Sequence, residues 1–169
     1  MRKFSASLLA ISFFIISLCS CSNVSTPDVV AYFTANAKIE SNENVVHFTV
    51  KSSEDKSISV CFTSEKEVEG LCYHYTNSTL YIEYKGLKCI TNSDYMPYFT
   101  PVDVVFDTLS SISSLGYEFK KSENEYDVYT GLSKSGGYTF YTDKKTGAIL
   151  EIIPSYSDCK ISFSDINTK

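Results

Sequence analysis

Between residues 29 and 63 the sequence alternates so regularly that few folds remain open to it. Over 29–40, Phe33, Ala35, Ala37 and Ile39 fall on one side of an extended chain, and Thr34, Asn36, Lys38 and Glu40 on the other. A period of two with one polar face marks a half-buried strand. Ser41-Asn42-Glu43-Asn44 turns the chain, and 45–51 repeats the pattern with Val46, Phe48 and Val50 inward and His47 and Thr49 outward. Beyond Glu54-Asp55-Lys56, 57–63 aligns Ile58, Val60 and Phe62. Three such segments joined by short polar turns predict an antiparallel meander. After a charged loop over 64–70 it continues through 71–75, where Leu71, Tyr73 and Tyr75 oppose Cys72 and His74. Next come 79–84, with Leu80, Ile82 and Tyr84 on one face, and a short run over 87–91.

The rhythm breaks at 92–100, where Tyr95, Met96, Pro97, Tyr98 and Phe99 form an aromatic loop. Pro inside it argues against a strand interior. Pro101 then suits the first helical position, with Thr100 as cap and Asp103 in the first turn. Val102, Val105, Phe106, Leu109, Ile112 and Leu115 recur at helical spacing, and Gly116 ends the run. Strands resume over 117–121, 125–130, 138–142, 148–153 and 159–163, the last with Ile161 and Phe163 inward. Asp143-Lys144-Lys145-Thr146-Gly147 is a hairpin turn in which Gly147 can supply positive φ.

These elements predict one α+β domain over 29–169: about ten strands in a strongly curved antiparallel sheet, wrapped as an open half-barrel around one central helix. With 13 Tyr, 11 Phe and no Trp, the composition favours strands. The concave space would be lined by Phe33, Phe48, Phe62, Tyr73, Ile82, Phe106, Leu109, Phe140, Ile161 and Phe163. Such a space suits a fatty chain or an apolar segment of a partner. Tyr98 and Phe99 would serve as a lid or partner contact, or simply cover the open end of the sheet.

Upstream of the domain, Arg2 and Lys3 precede an apolar run over 6–18 broken only by Ser7, Ser12 and Ser17. This is the order of a secretory signal, and the run is too short to span a bilayer, which takes about 20 apolar residues. Leu18-Cys19-Ser20-Cys21 resembles the lipobox of bacterial lipoproteins, with Leu18 at −3, Ser20 at −1 and Cys21 as the acylated residue. That resemblance implies a signal over 1–20, a lipidated Cys21 and a tether over 21–28, and a protein held in membrane lipid on the extracytoplasmic face. An ordinary signal cut near Ser20 or Ser22 is the alternative.

The net charge is −5, and losing Arg2 and Lys3 with the signal makes the remainder more acidic. That argues against nucleic acid and against electrostatic docking on anionic lipid. Of six cysteines, Cys61, Cys72, Cys89 and Cys159 would remain as thiols or disulfides. Cys61 and Cys72 flank a strand-loop-strand turn, so a bridge between them and free buried thiols are both open readings. No CxxC, HExxH, GxSxG or phosphate-binding glycine loop occurs. His47 and His74 fall on outward strand faces, and the acids of 54–55 and 65–69 read as solvated turns. Cys72 and His74 share a face, as a thiol–imidazole pair would need, yet a mixed strand face is the simpler reading. The expectation is a non-enzymatic chain without metal or cofactor.

The order of signal, meander, mid-chain helix and late hairpin resembles the Lol-type (LolA/LolB-like) lipoprotein-carrier fold. The residues carrying the likeness are Phe33-x-Ala-x-Ala-x-Ile39, Gly70-Leu71, Leu80-Tyr81-Ile82, the 101–115 helix, and Gly137-Tyr-Thr-Phe-Tyr-Thr-Asp143 through Gly147-Ala-Ile-Leu-Glu-Ile152. The chain is also similar to germination lipoproteins of the GerS type, whose family role is to bind and support a cell-wall amidase. The resemblance implies either an exported protein partner or an acyl-chain ligand held in a hydrophobic groove. A lipobox sets the chain apart from the soluble carriers, because a tethered protein cannot shuttle cargo.

Overall fold

The computed structural model describes residues 28–42, 44–64, 66–76, 79–92 and 100–168. The expected lipidation at Cys21, the tether over 22–27, and Tyr98 and Phe99 lie outside these residues. Strands β1 (Phe33–Ser41), β2 (Asn44–Ser52), β3 (Ile58–Phe62), β4 (Cys72–Thr76), β5 (Thr79–Tyr84) and β6 (Leu87–Asn92) precede helix α1 (Pro101–Ser114). Strands β7 (Tyr117–Ser122), β8 (Tyr126–Leu132), β9 (Gly137–Asp143), β10 (Ile149–Pro154) and β11 (Cys159–Asn167) follow it. All the named strands join one antiparallel sheet in the order β6-β5-β4-β3-β2-β1-β11-β10-β9-β8-β7. The expected count of about ten becomes eleven in the described residues, because the short run after Lys85-Gly86 is a full strand.

This order explains why one small helix suffices. The first meander runs outward from the centre to β6, and the second starts at the opposite edge, β7, and runs back to β11 beside β1. The chain must cross from one sheet edge to the other, and α1 makes that crossing. Thr100 caps it, with extended backbone and a side-chain oxygen 3.2 Å from the Asp103 N–H. Leu115 closes it by donating its N–H to Ser111, and Gly116 leaves at φ +84°.

At the sheet centre, register places Ala37 between Phe48 on β2 and Phe163 on β11. Large residues flanking a small one pack into a layer without voids. Register shifts interrupt β1/β11 at Thr34–Asn36, β9/β10 at Ile149–Glu151, and β7/β8 at Phe119–Lys121. Bulges of this kind bend a strand and increase its twist, which curls the sheet.

Two ends of the sheet can be told apart. At the entry end, residue 28 joins the domain beside the β9–β10 turn: Val30 donates to the Gly147 carbonyl at 3.0 Å and bridges Ala148 in parallel. The expected strand over 29–40 therefore begins only at Phe33, because 29–32 is drawn to that turn. Gly147 sits at φ +71°, and a side-chain carbon there would collide with the Asp28 carbonyl. The far end holds the C-terminus of α1, the start of β7, and the β8–β9 turn. No helix among the described residues is long and apolar enough to cross a membrane.

Candidate functional site

The helix presents its apolar stripe to the concave face of the sheet, with Val102, Val105, Phe106, Leu109 and Ile112 all buried. Thr108 and Ser111 are buried beside them, and Thr108 satisfies its hydroxyl by donating to the Val104 carbonyl at 2.7 Å. From the sheet come Phe33, Phe48, Phe140, Ile161 and Phe163, buried in the same core, while Phe62, Tyr73 and Ile82 pack half-buried at its margin. The aromatics meet one another: Phe33 against Phe163 at 5.5 Å, Phe62 against Tyr73 at 6.2 Å, and Phe106 against Tyr75 at 5.7 Å. Phe140 and Ile161 are 0 % exposed and Leu109 is 1 %, so at these residues the interior borders neither solvent nor a water-sized void. Of the ten described cavity candidates, seven are thus buried core, and Phe62, Tyr73 and Ile82 keep part of their surface exposed.

On the outer face Cys61 pairs directly with Cys72 across β3 and β4, and the two form a disulfide with Cα atoms 4.1 Å apart. His74 stands next to them, its Nδ1 2.8 Å from Ser59 Oγ. Three donors for a metal would be close here, but both sulfurs are committed to each other. The same bond removes any Cys72 thiolate from His74. Cys159 is buried and free, and burial pushes its thiol up, away from reactivity; Cys89 is free and exposed.

An open pocket of about 910 Å³ lies at the far end, where α1 runs into β7. Leu115, Tyr117 and Leu132 form its apolar walls, and Gly116, Gly131 and Gly137 leave backbone at its surface. Leu115 is 68 % exposed and Leu132 is 71 %, an unusual condition for two leucines side by side around one hollow. Tyr117 rests edge-on against Tyr129 and Phe140, which stack on each other at 5.1 Å. Tyr138 also lines the pocket, its ring lying over Gly131, where a side-chain carbon would collide with the Tyr138 hydroxyl. That hydroxyl is buried and has no hydrogen-bond partner among the described residues. Burial, with Asp107 adding its negative charge, pushes it up to about 12, so it remains a donor at neutral pH.

One carboxylate fixes the geometry of this end. Asp107 on α1 accepts from the backbone N–H groups of Lys134 (3.2 Å) and Ser135 (3.1 Å) in the β8–β9 turn. The Tyr156 hydroxyl donates to it at 3.4 Å, and burial first, then the Asp107 charge, hold that phenol up to about 12. A second hollow, of about 460 Å³, lies at the entry end and is lined by Tyr32, Lys51, Glu54 and Asp55 among others. None of the far-end pocket residues is among the cavity candidates read from the sequence. The available signal is apolar Leu115 and Leu132 standing next to Gly116 and Gly131, at element ends where exposed Leu is hard to justify.

No protein-family model matches the chain, and no curated protein matches it in sequence. Solved structures do resemble it. An uncharacterized conserved protein from Thermus thermophilus aligns with a TM-score of 0.54 at 11% identity, over 87% of this chain and 81% of that one. The LolA superfamily protein NE2245 from Nitrosomonas europaea gives 0.45 at 9% identity, over 85% and 87%. A chain of the complex of the CwlD amidase from Clostridioides difficile with the GerS lipoprotein gives 0.48 at 12% identity, over 80% and 84%. At these identities the likeness concerns the fold alone.

Proposed function

We propose that the chain is a membrane-anchored, non-enzymatic lipoprotein that binds and supports a protein partner of the cell envelope. Acylated Cys21 is its anchor, on the extracytoplasmic face. The observation that carries the reading is where exposed apolar residues collect. Val45, Leu87, Leu115, Tyr117 and Leu132 stand at the far end and Phe119 in mid-strand, whereas Tyr32 and Ile90 stand toward the entry end. This end offers apolar surface to another molecule, and an exposed Tyr among apolar residues suits the core of a protein interface. The competing reading, a receptor for a lipid or a lipoprotein acyl chain, would need open space between helix and sheet, and the full burial of Phe140 and Ile161 weighs against it there.

A cell-wall amidase is the partner to try first, on the strength of the GerS-type resemblance in the sequence. The chain and purified exported amidases, run together on size exclusion with light scattering, are expected to give a stable stoichiometric complex with one of them. Native mass spectrometry of the chain carrying Cys21→Ser is expected to show protein mass alone. Bound acyl mass, with no amidase complex, would sink the partner reading in favour of the receptor. Labelling with radioactive palmitate checks the anchor, and Cys21→Ser should abolish it.

A further inference from the structure

The far-end pocket has a more specific chemistry than an apolar patch. We infer that it receives an uncharged apolar side chain of a protein partner, with the Tyr138 hydroxyl donating a hydrogen bond to a carbonyl of that partner. This rests on the partner-binding reading above and names the surface and the chemistry of contact.

Four observations converge. The volume of about 910 Å³ is ample for one or two large side chains, and the apolar walls are Leu115, Tyr117 and Leu132. Tyr138 lines the pocket but is only 2 % exposed, and its buried hydroxyl lies unpartnered over Gly131, another lining residue. A buried hydroxyl left without a partner costs about 1–3 kcal/mol, and an acceptor brought into the pocket would recover part of that. Next, Glu118 is the one charged residue among those lining the pocket, and no Lys, Arg or His lines it. Glu118 already holds the Lys120 ammonium at 2.8 Å, so a carboxylate or phosphate would have to compete with it for that cation, and the pocket favours a ligand without negative charge. A peptide carbonyl beside an apolar side chain meets both conditions; a fatty-acid headgroup or a phospholipid does not.

The fourth observation is position. The preceding chain joins the domain at Asp28, against Gly147 just past the end of β9, while the pocket uses Gly137 and Tyr138 at the start of that strand. β9 separates them by about 20 Å at 3.3–3.4 Å per residue. A domain tethered through residue 28 thus presents the pocket away from its point of attachment, toward a partner in solution and not toward the bilayer.

The test selects a random heptapeptide phage library against the full chain carrying Cys21→Ser, alongside Leu132→Asp and Tyr138→Phe versions of it. Leu132 is 71 % exposed, so its replacement leaves the core intact, and thermal unfolding verifies this. Enriched peptides should share a Leu, Phe, Tyr or Met anchor and lack acids. Their affinity should fall about tenfold or more with Leu132→Asp, as for an interface anchor, and several-fold with Tyr138→Phe. No enrichment, peptides insensitive to both substitutions, or an acidic consensus would overturn the inference. So would 1-monopalmitoylglycerol binding that is lost in Leu132→Asp while no peptide binds, which assigns the pocket to an acyl ligand. If an amidase complex forms and survives Leu132→Asp unchanged, the partner reading stands and the pocket assignment falls.

Discussion

The two ends of the sheet are closed by different means. At the entry end, the turns are held by bonds within themselves, beside the long-range tie of Val30 to the Gly147 carbonyl. Asp143 Oδ1 accepts from the N–H groups of Lys145 (3.0 Å) and Thr146 (2.8 Å) and from the Thr146 hydroxyl (2.8 Å), and Asp55 holds Ser57 in the same manner. At the far end, the ties are long-range. The Cys61–Cys72 disulfide joins β3 to β4, and Asp107 reaches from α1 to a turn 27 residues downstream. Turns that satisfy themselves leave little apolar surface uncovered. A rim held from a distance can keep Leu115, Tyr117 and Leu132 bare without loosening, and that combination suits a contact surface.

The contrast can be broken hardest from beneath the far-end rim. Phe140 is fully buried and touches Tyr117, Tyr129 and Tyr138. Phe140→Ala should cost about 3–5 kcal/mol, read as the midpoint shift in urea unfolding, because it leaves a cavity under the aromatic group. Removing the disulfide with Cys61→Ser and Cys72→Ser comes next. The bridge closes 11 residues of sequence separation. Its loss should cost about 2–3 kcal/mol. Hydrogen exchange should quicken in β3 and β4 while the Asp143 turn keeps its protection; equal acceleration at both ends would show that the ends are not independently held.

The strands were legible because period-two alternation is local, and the helix because Thr100, Pro101 and Asp103 announce its start within four residues. What could not be read was their assembly. That β1 lies beside β11, so that α1 must cross between the two sheet edges, depends on pairing between the chain's extremes. The far-end cluster was hidden for the same reason. Leu115 and Leu132 each stand alone at an element end, beside Gly116 and Gly131, and only the tertiary fold brings them around one pocket. The interior candidates show the converse. An aromatic residue on the inward face looks alike whether it lines a cavity or fills it, and only the packing of the 14-residue helix against the sheet makes Phe33, Phe48 and Phe140 core.

Asp107 offers a finer cut. Asp107→Ala removes the acceptor for the Lys134 and Ser135 N–H groups, both near the surface. The expected cost is about 1–2 kcal/mol, since water replaces part of what is lost. Exchange should rise over residues 133–136 and stay unchanged at the β9–β10 turn. Spread of the effect to Val30 would mean that α1 couples the two ends, and the far rim would then no longer be an independent feature.

The smallest effect belongs to the entry end and to pH. The Thr146 hydroxyl and backbone N–H, accepted by the Asp143 carboxylate, hold its pKa below the ordinary 3.8. A carboxyl depressed in the folded state contributes stability that is fully present above its unfolded pKa and lost as pH falls through the folded one. The window therefore opens near pH 4 and extends downward from there. Stability followed by urea midpoint from pH 5 to pH 2.5 should decline, and Asp143→Asn, which keeps an acceptor but cannot titrate, should flatten part of that decline. The loss should appear first as faster exchange at Thr146 and Val30, while the disulfide-bonded strands and the Asp107-held turn keep their protection. If residues 133–136 open before the Asp143 turn on acidification, the far end is the weaker of the two, and its bare leucines would have to be explained by looseness instead of by a surface kept ready for contact.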